Sequence, residues 1–191
     1  MKPLKKILKV TSLTLITLVL TSVLTGCFGR GDDESNNFQT YQGTNFSINV
    51  DPSWTILQPS DFQENIPKET LVAFTSPEAY DGFFMNVNVS KEQLQAPTNS
   101  IEYGRANIIA AEQNLTNYEK GDEAQIDLNG TPALVHIFNA RLNPSEKLTR
   151  FYQLYTTQGS TGYIVTGGVL PSTDEVAREN VGNMVTSFQL N

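Results

Sequence analysis

The chain has 191 residues, which leaves room for one ordinary domain with short appendages and not for two. It carries 13 Lys and Arg against 20 Asp and Glu, but Lys2, Lys5, Lys6 and Lys9 lie in a leading stretch without a single acid. From Cys27 onward 9 bases therefore face 20 acids, a net charge of −11. Phosphate backbones repel such a body, which excludes nucleic-acid binding as a function class. A hydrophobic content of 39% with 9% aromatics excludes a disordered chain.

Residues 1–26 run from a lysine-rich start through an uncharged stretch, Val10 to Gly26, in the order of a secretory signal. Seven hydroxyl residues, from Thr11 to Thr25, dilute that stretch below the apolarity of most membrane-spanning helices. It ends in Leu24-Thr25-Gly26-Cys27, with small residues leading to the only cysteine of the chain. This pattern resembles the bacterial lipobox. The resemblance implies cleavage before Cys27, a diacylglyceryl group on its sulfur, and a protein held by lipid on the extracytoplasmic face of the cell membrane. Residues 27–37 (CFGRGDDESNN) are polar, acidic and rich in Gly, Asp, Ser and Asn, and read as a lipidated flexible tether. Residues 38–191 read as one domain. No cysteine follows Cys27, so thiol nucleophiles, zinc fingers and disulfides are not expected in that body.

Phe46-Ser47-Ile48-Asn49-Val50 alternates with period two and predicts a strand, ended by Asp51-Pro52-Ser53. Trp54–Leu57 predicts a second, and residues 58–67 a loop or single helical turn. Leu71–Phe74 predicts a strand stopped by Ser76-Pro77. Tyr80-Asp81-Gly82 supplies turn chemistry for a hairpin to Phe83–Val89, with Phe83, Met85, Val87 and Val89 on one face. From Pro97 to Asn117 the period becomes helical: Ile101, Ile108, Ile109 and Leu115 form the apolar face, and Asn99 with Glu102 forms a capping box. Glu123–Leu128 and Thr131–Leu142 predict a hairpin across Asn129-Gly130, and Leu148–Thr157 and Tyr163–Val169 another across residues 159–162. A last helix is predicted from Ser172 to Phe188, capped by Ser172 with Glu175 and buried through Val176, Val181, Met184, Val185 and Phe188. Five or so strands, a helix, four strands and a helix predict an α+β fold, an antiparallel sheet flanked by helices.

The opening Phe46-Ser47-Ile48-Asn49-Val50-Asp51-Pro52-Ser53-Trp54, with this element order down to Ser187-Phe188, resembles the PsbP and Mog1-like superfamily. The resemblance implies an α/β/α sandwich and a role in binding, assembly or regulation. It brings no catalytic residues.

The search for chemistry finds little. His136 is the single histidine, sits in an alternating strand with no acid beside it in sequence, and reads as structural. No nucleophile elbow, Ca²⁺ loop, paired-His motif or phosphate cradle is present, so no catalytic, metal or cofactor-binding residue is expected and no cofactor. Two readings remain. One is a non-catalytic, membrane-tethered module for a protein partner in the envelope, where tethering raises the effective concentration. The other is a small-ligand-binding lipoprotein with a cleft between sheet and helices lined by Tyr152, Tyr155 and Tyr163.

Overall fold

Period-two alternation dominates the residues described by the structure, a computed structural model covering 38–63 and 66–191. It is realised as β1 (Gln39–Gly43), β2 (Phe46–Val50), β3 (Thr55–Leu57), β4 (Thr70–Tyr80), β5 (Phe83–Gln93), β6 (Thr116–Leu128), β7 (Thr131–Arg141), β8 (Thr149–Gln158), β9 (Thr161–Val169) and β10 (Gln189–Leu190). Two helices interrupt the strands, α1 (Ser100–Asn114) and α2 (Glu175–Thr186). Seven strands form one antiparallel sheet in the order β3-β4-β5-β9-β8-β7-β6, and β1-β2-β10 form a second, three-stranded one. A mostly antiparallel β architecture with two helices is the α+β class that the sequence predicts.

Two hairpin turns form where the sequence places them, because both central residues accept a left-handed backbone. Asp81 and Gly82 have φ of 48° and 68°, and Asn129 and Gly130 have 54° and 92°. Residues 159–162 do not all form a loop: the turn is Gly159-Ser160, and Thr161 and Gly162 already belong to β9. Pro77 does not stop β4 either. The strand passes through it on a register shift between Thr75 and Ala79, where the missing N–H breaks no ladder bond.

The first helix starts at its predicted cap, and the second starts two residues past its own. In α1 the Asn99 side chain accepts from the Ile101 N–H at 2.8 Å, so the cap forms without reaching Glu102. In α2 the cap is Asp174, accepting from the Ala177 N–H at 2.9 Å, and Ser172 lies outside the helix. Two predicted core positions face solvent: Ile109 is 53% exposed and Val176 54%. The buried face of α1 uses the predicted Ile108 together with Ser100, Tyr103 and Gly104.

Successive strand residues point to opposite faces, and the helices divide accordingly. Tyr103 and Ile108 of α1 cluster with Leu134, Tyr155 and Ile164, whereas Val181, Met184 and Val185 of α2 cluster with Val135, Leu154 and Val165. Phe46, Ile48 and Val50 of β2 join the α2 cluster, so the small sheet and α2 cover the same side. Glycine permits both close approaches. A Cβ on Gly104 would stand 2.8 Å from Leu134 Cδ2, and one on Gly167 would stand 2.6 Å from Val181 Cγ1. Among the described residues no helix is long and apolar enough to cross a membrane.

Candidate functional site

Cys27, the predicted lipid attachment residue, lies outside the described residues. The three tyrosines nominated for one ligand cleft are all placed, and they do not converge. Tyr155 packs under α1 with Tyr103 and Leu134, while Tyr152 and Tyr163 pack on the α2 side of the sheet. The physical reason is the alternation itself: Tyr152 and Tyr155 stand three positions apart on β8, an odd offset that puts them on opposite faces. Tyr155 is fully enclosed and donates to Gln153 Oε1, and Gln153 Nε2 donates to Thr166 Oγ1 at 3.1 Å. Burial pushes the Tyr155 phenol well above its ordinary range. Tyr152 is spanned by Arg150, whose Nε donates to its hydroxyl at 3.2 Å while the guanidinium lies over the ring.

His136 is also enclosed, at 0% exposure. Its ring stacks on Phe138 at 4.6 Å, and its Nε2 pairs with the Tyr118 hydroxyl at 2.9 Å. Glu123 sits directly opposite on β6, a neighbour that the linear sequence hides because twelve residues and a hairpin separate them. Burial holds the imidazole neutral, down to about 4, against the opposing pull of Glu123, with Lys120 adding to the depression. An enclosed, neutral ring already bonded to a tyrosine is a core group, in keeping with the structural reading. Among the described residues no three His, Cys, Asp or Glu side chains gather as a metal-binding group.

Two surface clefts among the described residues bear on a candidate site. One, about 350 Å³, lies among Asp81, Arg141, Lys147, Leu148 and the segment Leu170–Ser172. It is shallow and open, and its rim is braced by Lys147 Nζ donating to Asp81 Oδ2 at 2.8 Å and Tyr80 Oη to the Ser172 carbonyl at 3.0 Å. The other, about 570 Å³, opens at the end of the molecule where the two sheets meet, among Asn45, Lys68, Glu69, Lys91, Glu92, Gln93, Thr161 and Tyr163. Its volume falls in the range of small-molecule sites. Of the three tyrosines, Tyr163 alone borders either cleft, with its ring 5.9 Å from Phe188 and its phenol pushed up by burial. Sequence reasoning missed Lys68 and Lys91, since segments 45, 68, 91 and 161 carry no shared local signal.

No protein-family model matches the sequence, and no curated protein matches it. Solved structures do. Cyanobacterial PsbP (CyanoP) from Synechocystis superposes with a TM-score of 0.58 at 13% identity, over 88% of this chain and 99% of that one. The Ran-binding protein Mog1p of Saccharomyces cerevisiae superposes with a TM-score of 0.54 at 12% identity, over 82% of this chain and 96% of that one. At such identities the likeness is one of fold, and the described domain has the fold of PsbP and Mog1.

Proposed function

We propose that the protein is a lipid-anchored, extracytoplasmic lipoprotein whose PsbP/Mog1-like α/β/α domain is a non-catalytic binding or assembly module for a protein complex of the cell envelope. The observation that carries this reading is Leu24-Thr25-Gly26-Cys27, standing after a lysine-led apolar stretch and eleven residues before Phe38. Cleavage there leaves Cys27 as the lipidated first residue, 27–37 as the tether and 38–191 as the module. The fold likeness supports a binding role, since Mog1p is a Ran-binding protein, and the anchor supplies a high effective concentration to a modest interface. Extraction of the full chain from a bacterial membrane in detergent, followed by intact mass, tests the anchor. The expected mass is that of residues 27–191 plus a diacylglyceryl group. Crosslinking in the same membranes tests the partner: a defined adduct is expected with the wild type and lost when the anchor is removed. An unmodified full-length mass would overturn the lipoprotein reading, and equal crosslinking without the anchor would overturn the tethered-assembly reading.

A second reading, small-ligand binding, is favoured by one observation, the 570 Å³ cleft bordered by Tyr163 where the sheets meet.

A further inference from the structure

The cleft between the two sheets is built from four separate pieces of chain that the fold locks together. The Lys91 N–H donates to the Glu69 carbonyl at 3.0 Å, which sets the end of β5 beside the start of β4. The Leu94 N–H and Gln93 Nε2 donate to the Ser160 carbonyl at 2.8 and 2.9 Å, which fixes the β8–β9 turn against β5. The Asn191 N–H donates to the Asn45 carbonyl at 3.1 Å and pins the β1–β2 turn over the opening. Asn45 holds that turn in a left-handed conformation, φ 67°. The walls are therefore backbone-braced before any ligand arrives, the condition under which binding loses least to ordering.

The lining has a definite charge pattern. Lys91 and Gln93 alternate with Glu92 along β5, so Lys91 points to the Tyr163 side of the sheet. Glu92 also acts on Tyr103, whose phenol is raised by burial first and by that carboxylate second. Among the described residues neither Lys68 nor Lys91 forms an ion pair; the lysines that do are Lys120, with Glu123, and Lys147, with Asp81. In a body of net charge −11 two such lysines stand at one opening, with Glu69 and Glu92 beside them and Asn45, Gln93 and Thr161 as neutral hydrogen-bonding groups.

A ligand carrying only negative charge meets Glu69, and one carrying only positive charge meets Lys68 and Lys91. A molecule with both charges meets a counter-charge at each end, with charge-assisted hydrogen bonds. We propose that this cleft binds a small zwitterion of the amino-acid or short-peptide class, its carboxylate held by Lys68 and Lys91 and its ammonium by Glu69. The inference deepens the ligand-binding reading and rests on it, while the lipid anchor is independent of both.

Isothermal titration calorimetry on the full chain in detergent micelles tests it, with alanylalanine, N-acetylalanine and alaninamide as probes. Alanylalanine is expected to bind, and the two singly charged probes to bind about tenfold more weakly or worse. Lys68→Gln and Lys91→Gln should each weaken the dipeptide about tenfold, and Lys120→Gln, on the far edge strand, should leave it unchanged. Both lysines are exposed side chains, so thermal melts of the variants should match the wild type. Comparable binding of N-acetylalanine and alanylalanine would overturn the zwitterion while keeping a ligand site. Binding by none of the three probes, or dipeptide binding unaffected by both lysine changes, would overturn the site itself.

Discussion

At the scale of single residues, the most consequential side chain is Trp54. It is 8% exposed in the main core cluster, and the backbone N–H of the same residue donates to the Asp51 carbonyl at 3.0 Å to close the turn that links the small sheet to the large one. Trp54→Ala should cost about 3 to 5 kcal/mol, read from urea unfolding, and the wild-type fluorescence should be blue-shifted from that of indole in water. His136 makes a second prediction, about pH. Its folded pKa, near 4, lies below the unfolded value of 6.5. The unfolded chain therefore takes the proton first, so the contribution is full above pH 6.5 and is lost as pH falls toward 4. The loss is roughly 3 kcal/mol. Unfolding of wild type and His136→Phe, compared between pH 7 and 4, should show that part of the acid slope disappearing in the variant, because Phe stacks on Phe138 without a proton to bind.

At the scale of elements, the helices are held by glycine-mediated contact on both sides of the sheet. Gly167→Val places a side chain 2.6 Å from Val181 Cγ1 and 2.9 Å from Val185 Cγ2 at its first carbon alone, so α2 has to lift. A loss of about 1 to 3 kcal/mol is expected, with near-ultraviolet dichroism reporting the loosened aromatic packing. The caps give a sharper discrimination. Asp174→Ala should cost about 1 kcal/mol and Ser172→Ala within about 0.5 kcal/mol, since Asp174 and not Ser172 accepts the α2 amide. Equal effects in thermal melts would return the cap to Ser172. At the free edge, β6 carries register shifts at Thr116/Glu119 and Lys120/Glu123 together with exposed Glu119, Asp122 and Glu123. Bulges and charge there discourage edge-to-edge pairing with another chain.

For the molecule as a whole, the proposed anchor and the described fold are separable. Phe38 is the first described residue and packs at the border of the core, and the tether of the proposal lies wholly before it. Cys27→Ser should abolish lipid attachment, scored by intact mass and detergent partitioning, while the melting temperature of the domain stays that of the wild type. Burial of acyl methylenes at about 0.8 kcal/mol each far exceeds any attraction between so acidic a body and lipid. Membrane retention of the variant cleaved before residue 27 would place the attachment in the domain itself.

The α+β class and most of the element order were legible in the sequence because they depend on local backbone energetics. Asn129-Gly130 and Asp81-Gly82 accept φ above zero wherever they occur, so the hairpins at those positions needed no knowledge of the rest of the chain. Alternation likewise assigned Val87 and Val89 to a buried face before any partner was known. Where two local choices were nearly equal in energy, packing decided. Ser172 and Asp174 are both good caps, and α2 starts at the one that sets Val181, Met184 and Val185 against the sheet. Pro77 stays in β4 because a register shift accommodates its missing donor, and Ile109 and Val176 face water because Tyr103, Gly104, Val181 and Val185 take the inner positions. The cleft among residues 45, 68, 91 and 161 was beyond the reach of sequence. Its walls are joined by hydrogen bonds between distant segments, and such bonds exist only after the two sheets have closed on a common core.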